Sequence, residues 1–222
     1  MLSGPEVTPR SGRKPKKLAI ILHGLGANGD NLIDIARVMN RFIPDIHFIA
    51  PNAPEPYDFQ PYGYYQWFSV TDRTPEKMIA GAKKAEIVLN EFIDHQLQRF
   101  NLEEKDLIVM GFSQGAMMSL HTCLRRKNPV ALVIGFSGSL LSPELLASEI
   151  KSKPDVLLLH GTDDDVVPVS KIYEAEKYLK ENHVPVKAFT YNNIGHSISE
   201  EGFKKALETI KTVIVQTHVR FF

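Results

Sequence analysis

Five residues near the middle of the chain, Gly111-Phe112-Ser113-Gln114-Gly115, hold the first candidate chemistry. A serine hydroxyl becomes a nucleophile when a neighbouring base takes its proton. The G-x-S-x-G spacing places such a serine at the apex of a sharp, strained strand-to-helix turn, with small flanking residues because strand and helix crowd each other there. The apolar "DLIVM" before it and "QGAMMSLHTCLRRK" after it read as the strand and the helix. Ser113 is therefore the candidate nucleophile.

A serine of this kind works with a histidine held by a carboxylate, and on this turn the chain order is serine, acid, histidine. Asp163, Asp164 and Asp165 follow an apolar run in "VLLLHGTDDDVVP" and supply the acid. Three acids in a row also suit a hard cation, but no further acids or amides stand nearby at ligand spacing, and no metal is expected. His196, in "FTYNNIGHSISEEG", follows the last apolar run and leads into the last helical stretch, where a base belongs. His160 precedes the acids and is out of order as a base; His183 closes a helix and His218 lies in the tail.

The early stretch "LAIILHGLGANGDN" contains Gly24-x-Gly26-x-x-Gly29, the letters of a dinucleotide cradle. That cradle needs an acid at the end of the second strand, about 20 residues on. Ala50, Pro51 and Asn52 stand there instead. An oxyanion hole uses the residues better. It takes two backbone N–H donors, one from the residue after the nucleophile, Gln114, and one from a nearby strand-to-helix loop. His23-Gly24-Leu25-Gly26 fits that loop, with His23 read as a structural, hydrogen-bonded histidine.

The elements that position these residues are legible as short apolar runs, at Leu18–Leu22, Phe48–Ala50, Leu107–Met110, Ala131–Phe136, Val156–Leu159 and Val186–Tyr191. Stretches of helical period separate most of them, at Asp30–Arg41, Pro75–Phe100, Gln114–Arg126, Ser170–Asn182 and Glu200–Val215. The alternation predicts an α/β fold, a mainly parallel sheet with helices on both faces. Ligands bind such sheets at the carboxyl ends of the strands, where every candidate above falls.

The 222 residues suit one such domain over 17–222, preceded by an N-terminal arm over 1–16. Lys+Arg and Asp+Glu are both 26, so no basic excess points to nucleic acid or an anionic membrane. Arg10, Arg13, Lys14, Lys16 and Lys17, among Pro9, Gly12 and Pro15, read as a solvated cluster. A single cysteine, Cys123, excludes a disulfide framework within the chain and reads as a buried, inert thiol. Leu18–Leu22 is too short for a signal segment or a membrane span, and a cytoplasmic protein is expected.

The segment Tyr57–Phe68 carries seven aromatic residues: Tyr57, Phe59, Tyr62, Tyr64, Tyr65, Trp67 and Phe68. A long loop without period inside a compact domain is usually functional. Some of its rings are expected to pack the loop onto the sheet. Others would wall an acyl or aryl group, with Trp67 first, then Phe68 and Tyr65, and Gly26 beside them.

Taken together, "LHGLG", "GFSQGAMMSL", "HGTDDDVVP" and "GHSIS" resemble the phospholipase/carboxylesterase family of small α/β hydrolases, which includes the acyl-protein thioesterases. The resemblance covers roughly Lys17 to Val215. It implies an α/β-hydrolase fold without a large separate lid domain. It further implies Ser113 as nucleophile, His196 as base, Asp164 as the acid among the three, and Leu25 and Gln114 as oxyanion donors. The implied substrates are carboxylic esters, lipid-like ones among them, or thioesters of acylated proteins. The family uses no metal or organic cofactor, and some members are homodimers. The chain departs from the family pattern at Asp165, where Pro is frequent, and at Ser69, where an acid often follows Trp-Phe.

Overall fold

The computed structural model describes residues 1–60 and 62–219, with side chains as far as Val215. His218 falls outside the described side chains. In chain order the strands and α-helices are β1 (Glu6–Val7), β2 (Lys17–Leu22), α1 (Ile33–Met39), β3 (Ile46–Ile49), β4 (Glu55–Pro56), β5 (Tyr65–Gln66), α2 (Pro75–Phe100), β6 (Leu107–Phe112), α3 (Gln114–Arg125), β7 (Leu132–Phe136), α4 (Leu146–Glu149), β8 (Val156–Gly161), α5 (Ser170–Glu181), β9 (Val186–Tyr191) and α6 (Glu200–Val219).

Seven strands form one sheet in the order β1-β3-β2-β6-β7-β8-β9. Every pair in it is parallel except β1 with β3. Side chains alternate across each strand. Leu18, Ile20 and Leu22 of β2 face a core shared with α2, α3 and α5, while Ala19 and Ile21 face one shared with α1 and α6. Both faces are thus covered, which is why the central strands are continuous apolar runs. Among the described residues no separate lid domain stands over the sheet, and no helix is long and apolar enough to cross a membrane.

α2 shows how a sequence sets an element's ends. Thr74-Pro75 opens it, with proline where a helix has no use for the missing N–H. Asn101 closes it in the left-handed region at φ 54°. Between them Ala82, Ala85, Leu89, Phe92, Ile93 and Leu97 form one buried stripe at helical spacing.

Three local expectations differ from the structure. The stretch read as one helix from Asp30 begins as a separate 3-10 turn, Gly29–Asn31, in which Asn28 and Asn31 cap each other reciprocally. The N-terminal segment contributes β1, where Glu6 accepts hydrogen bonds from His47 and Arg99. Lys17 is not solvated: it is 3% exposed, and its ammonium donates to Asp106 at 2.9 Å and to the Lys105 carbonyl at 3.0 Å.

Candidate active site

The parallel strands open their carboxyl ends on one side, and the chain leaves β2, β6, β8 and β9 there toward Leu25, Ser113, Asp164 and His196. Between β6 and α3, Ser113 adopts φ 53° and ψ −118°, the strained turn expected of the motif. The flanking glycines are required by contact. A Cβ on Gly111 would lie 2.2 Å from the Gly115 carbonyl oxygen, and one on Gly115 2.1 Å from that of Leu22. The Ser113 N–H donates to Phe136 of β7 at 2.9 Å, fixing the turn to the sheet.

Asp164 is buried, and its two oxygens have separate partners. Oδ1 accepts the N–H groups of Val166 and Val167 at 3.0 and 2.7 Å. Oδ2 lies 2.8 Å from His196 Nδ1. Burial pushes the Asp164 carboxyl up, but the hydrogen bonds from His196, Val167 and Val166 outweigh it and hold the group below its ordinary value. An ionised carboxylate only accepts, so the proton of a neutral His196 sits on Nδ1 and leaves Nε2 as a base. The imidazole packs against Phe112, the residue before Ser113, with centroids 4.8 Å apart and the rings tilted by 44°. Among the described residues no hydrogen bond joins Ser113 to His196, a contact that often tightens only with substrate.

Of the neighbouring acids, Asp163 accepts from the Thr162 hydroxyl at 2.7 Å, and Asp165 is exposed. His160, set aside as out of order, nonetheless reaches the acid. Its Nε2 stands 2.8 Å from the Val167 carbonyl and 3.2 Å from Asp164 Oδ2. Both partners are acceptors, so His160 is a fixed donor there. Chain order says nothing of such a contact, and only an unassigned histidine beside the acid hinted at it.

Of the two expected oxyanion donors, Gln114 is the first residue of α3, where an N–H has no acceptor within its helix. The loop after β2 lies against Ser113: a Cβ on Gly24 would fall 3.3 Å from the Cβ of Ser113. His23 Nε2 accepts from the Ala53 N–H at 2.9 Å, which leaves the proton on Nδ1, 2.7 Å from the Gly24 carbonyl. Burial pushes this imidazole down to about 4, so it stays neutral. The Leu25 N–H donates to no backbone carbonyl among the described residues.

The substrate-side expectations divide. Trp67 and Phe68 are each 1% exposed and belong to the core, so neither forms an open wall. Aromatic content in a loop does not distinguish a ring facing a cavity from one closing the core, and Trp67 closes the core. Gly26, at φ 66°, donates its N–H to the Tyr65 carbonyl at 2.9 Å and lies under the Tyr57 ring, so its amide is spent on the turn. Tyr65 is half-buried, while Phe59, Tyr62 and Tyr64 are exposed. Asp58 supplies an acid beside position 69, where the family often has its own: Ser69 Oγ donates to Asp58 Oδ2 at 2.6 Å.

Comparison with known proteins follows the same lines. The family model described as phospholipase/carboxylesterase matches residues 4–214. The chain is 31% identical to acyl-protein thioesterase 1 of Debaryomyces hansenii, over 95% of this chain and 97% of that one. Among solved structures it is similar to esterase PE8, at 38% identity over 96% of this chain and 99% of that one, with a TM-score of 0.91. It is also similar to acyl-protein thioesterase 2 of Zea mays, at 27% identity over 94% and 97% of the two chains, with a TM-score of 0.72.

Proposed function

This chain belongs to the phospholipase/carboxylesterase family of serine hydrolases, and on that premise we propose that it cleaves carboxylic esters through an acyl-enzyme on Ser113. The observation that carries the reading is the 2.8 Å contact between His196 and Asp164, set beside the strained Ser113 turn. Ser113 Oγ attacks the acyl carbon as His196 Nε2 takes its proton. Asp164 holds the ring and stabilises the imidazolium. The Leu25 and Gln114 amides receive the oxyanion. His196 returns the proton to the leaving alkoxide, then activates water, whose attack releases the acid and restores Ser113. The substrate is an acyl ester whose chain meets the half-buried Tyr65 and the exposed rings beyond it. The protein works in the cytoplasm, a reducing compartment that suits a lone buried Cys123.

The test is hydrolysis of p-nitrophenyl esters from acetate to long-chain acyl, with wild type and Ser113→Ala side by side. The expected outcome is turnover by wild type and a loss of about 10⁴-fold or more in the variant. Turnover by Ser113→Ala at the wild-type rate would sink the reading.

A second reading is favoured by the relatives named acyl-protein thioesterase. The same residues would then act on a thioester of an acylated protein. Competition between an acyl-thioester peptide and a p-nitrophenyl ester at equal concentration decides it: the two are hydrolysed in the ratio of their kcat/KM values, and a thioesterase favours the peptide.

A further inference from the structure

The two segments that carry the oxyanion donors come from distant parts of the chain, yet one buried residue touches both. The Trp67 indole Nε1–H donates to the His23 carbonyl at 2.9 Å, and the Trp67 backbone N–H donates to Gln114 Oε1 at 2.9 Å. Gln114 Nε2 donates back to the Phe68 carbonyl at 2.7 Å. The His23 and Trp67 rings are in contact, with centroids 5.7 Å apart. All of these groups are buried, where a missing partner costs more than at the surface.

The consequence for the donors is geometric. In a trans peptide the C=O and N–H point to opposite sides. His23 Nδ1–H holds the Gly24 carbonyl, so the Leu25 N–H of the same peptide is turned the other way. That orientation depends on where His23 sits, and the indole bond fixes the His23 carbonyl. Gln114 is held at the other end by its side chain, which leaves its backbone N–H for substrate.

We propose that Trp67 is a positioning residue of the oxyanion hole, a brace that sets the Leu25 segment and Gln114 relative to each other. The inference rests on the hydrolase reading above and goes beyond it by giving a role to a residue that does not touch substrate. It also accounts for a glutamine after the serine, whose amide both accepts from and donates to the Trp67-Phe68 backbone.

The test is Trp67→Phe, which keeps an aromatic ring in the core and removes the indole N–H together with part of the buried ring volume. Turnover is expressed per active site, titrated with a fluorophosphonate. A misplaced donor costs rate more than ground-state binding. The expected result is a fall of about tenfold in kcat with KM unchanged within about twofold. Inhibition by an alkyl trifluoromethyl ketone, whose hemiketal carries an oxyanion, weakens by a similar factor. A residue that only fills the core would lower Tm or the titratable fraction and leave kcat per site and the ketone constant at wild-type values; that result overturns the brace. Gln114→Met, which retains the backbone N–H and removes both side-chain bonds, carries the same test if Trp67→Phe does not fold. It supports the brace if kcat and ketone affinity fall together, and overturns it if both hold. Ser113→Ala separates the two levels. If it is inert while Trp67→Phe equals wild type, only the brace fails; if it remains active, the hydrolase reading fails and the brace with it.

Discussion

Trp67 and Phe68, at the root of the aromatic segment, and Phe59 and Tyr62, at its tip, lie within ten positions of one another and met opposite fates. The root rings are each 1% exposed, while the tip rings are 71% and 89% exposed. The root follows β5, and its backbone finds hydrogen-bonding partners on the Ser113 elbow, so ring burial costs no unpaired polar group. The tip lies between β4 and β5, a two-stranded ribbon outside the main sheet, and no core reaches it. Hydrophobicity alone did not decide which rings went inside; a partner for the backbone beside them did.

Removing a root ring costs the fold most. Phe68→Ala is expected to destabilise the fold by about 3–5 kcal/mol, since it empties a filled core site. Urea denaturation measures it, and a loss below about 1 kcal/mol would mean that the root is no more built-in than the tip.

The next effect comes from the histidine under Trp67. Burial holds His23 at about 4, against an ordinary value of 6.5. As pH falls, the unfolded chain takes up the proton near 6.5 and the folded one only near 4. This contribution is therefore complete above 6.5 and is lost between 6.5 and 4, roughly 3 kcal/mol in all. Stability of wild type and His23→Gln across that window checks it, and the variant is expected to show the shallower acid slope. Equal slopes would place the acid sensitivity elsewhere, at the buried His47 and His121, which burial also lowers.

The smallest stability effect belongs to the tip. Phe59→Ala with Tyr62→Ala is expected to change stability by no more than about 0.5 kcal/mol. The same double variant sharpens the contrast in function: KM for a long-chain ester rises, while the acetate ester is turned over as by wild type. A unchanged KM for both would leave the tip without a part in binding acyl chains.

What was readable beforehand follows from how local each constraint is. The Ser113 turn is specified within five residues, because Gly111 and Gly115 must be small for the turn to close. The central strands declare themselves as apolar runs since both of their faces are covered. Asp164 was separable from Asp163 and Asp165 only through the resemblance; the structure adds the reason for their difference, because only Asp164 turns inward onto Val166, Val167 and His196. Other features depend on partners far away in the chain. Lys17 reads as one of a solvated basic cluster until Asp106 is beside it. β1, β4 and β5 are two residues long, too short for any period to show. Trp67 serves the site from inside the core, and no pattern in the sequence separates that from a ring facing substrate.

Cys123 sits within α3, fully buried, ten positions after Ser113, and burial pushes its thiol up to about 12. The folded protein thus presents no competent thiolate to solvent, and it holds no second cysteine to confuse the signal. Each molecule carries one native thiol, which a chromogenic disulfide reagent reports only when the helix behind Ser113 comes away from the sheet. Timing that reaction clocks how often the elbow lets go, with no label engineered in.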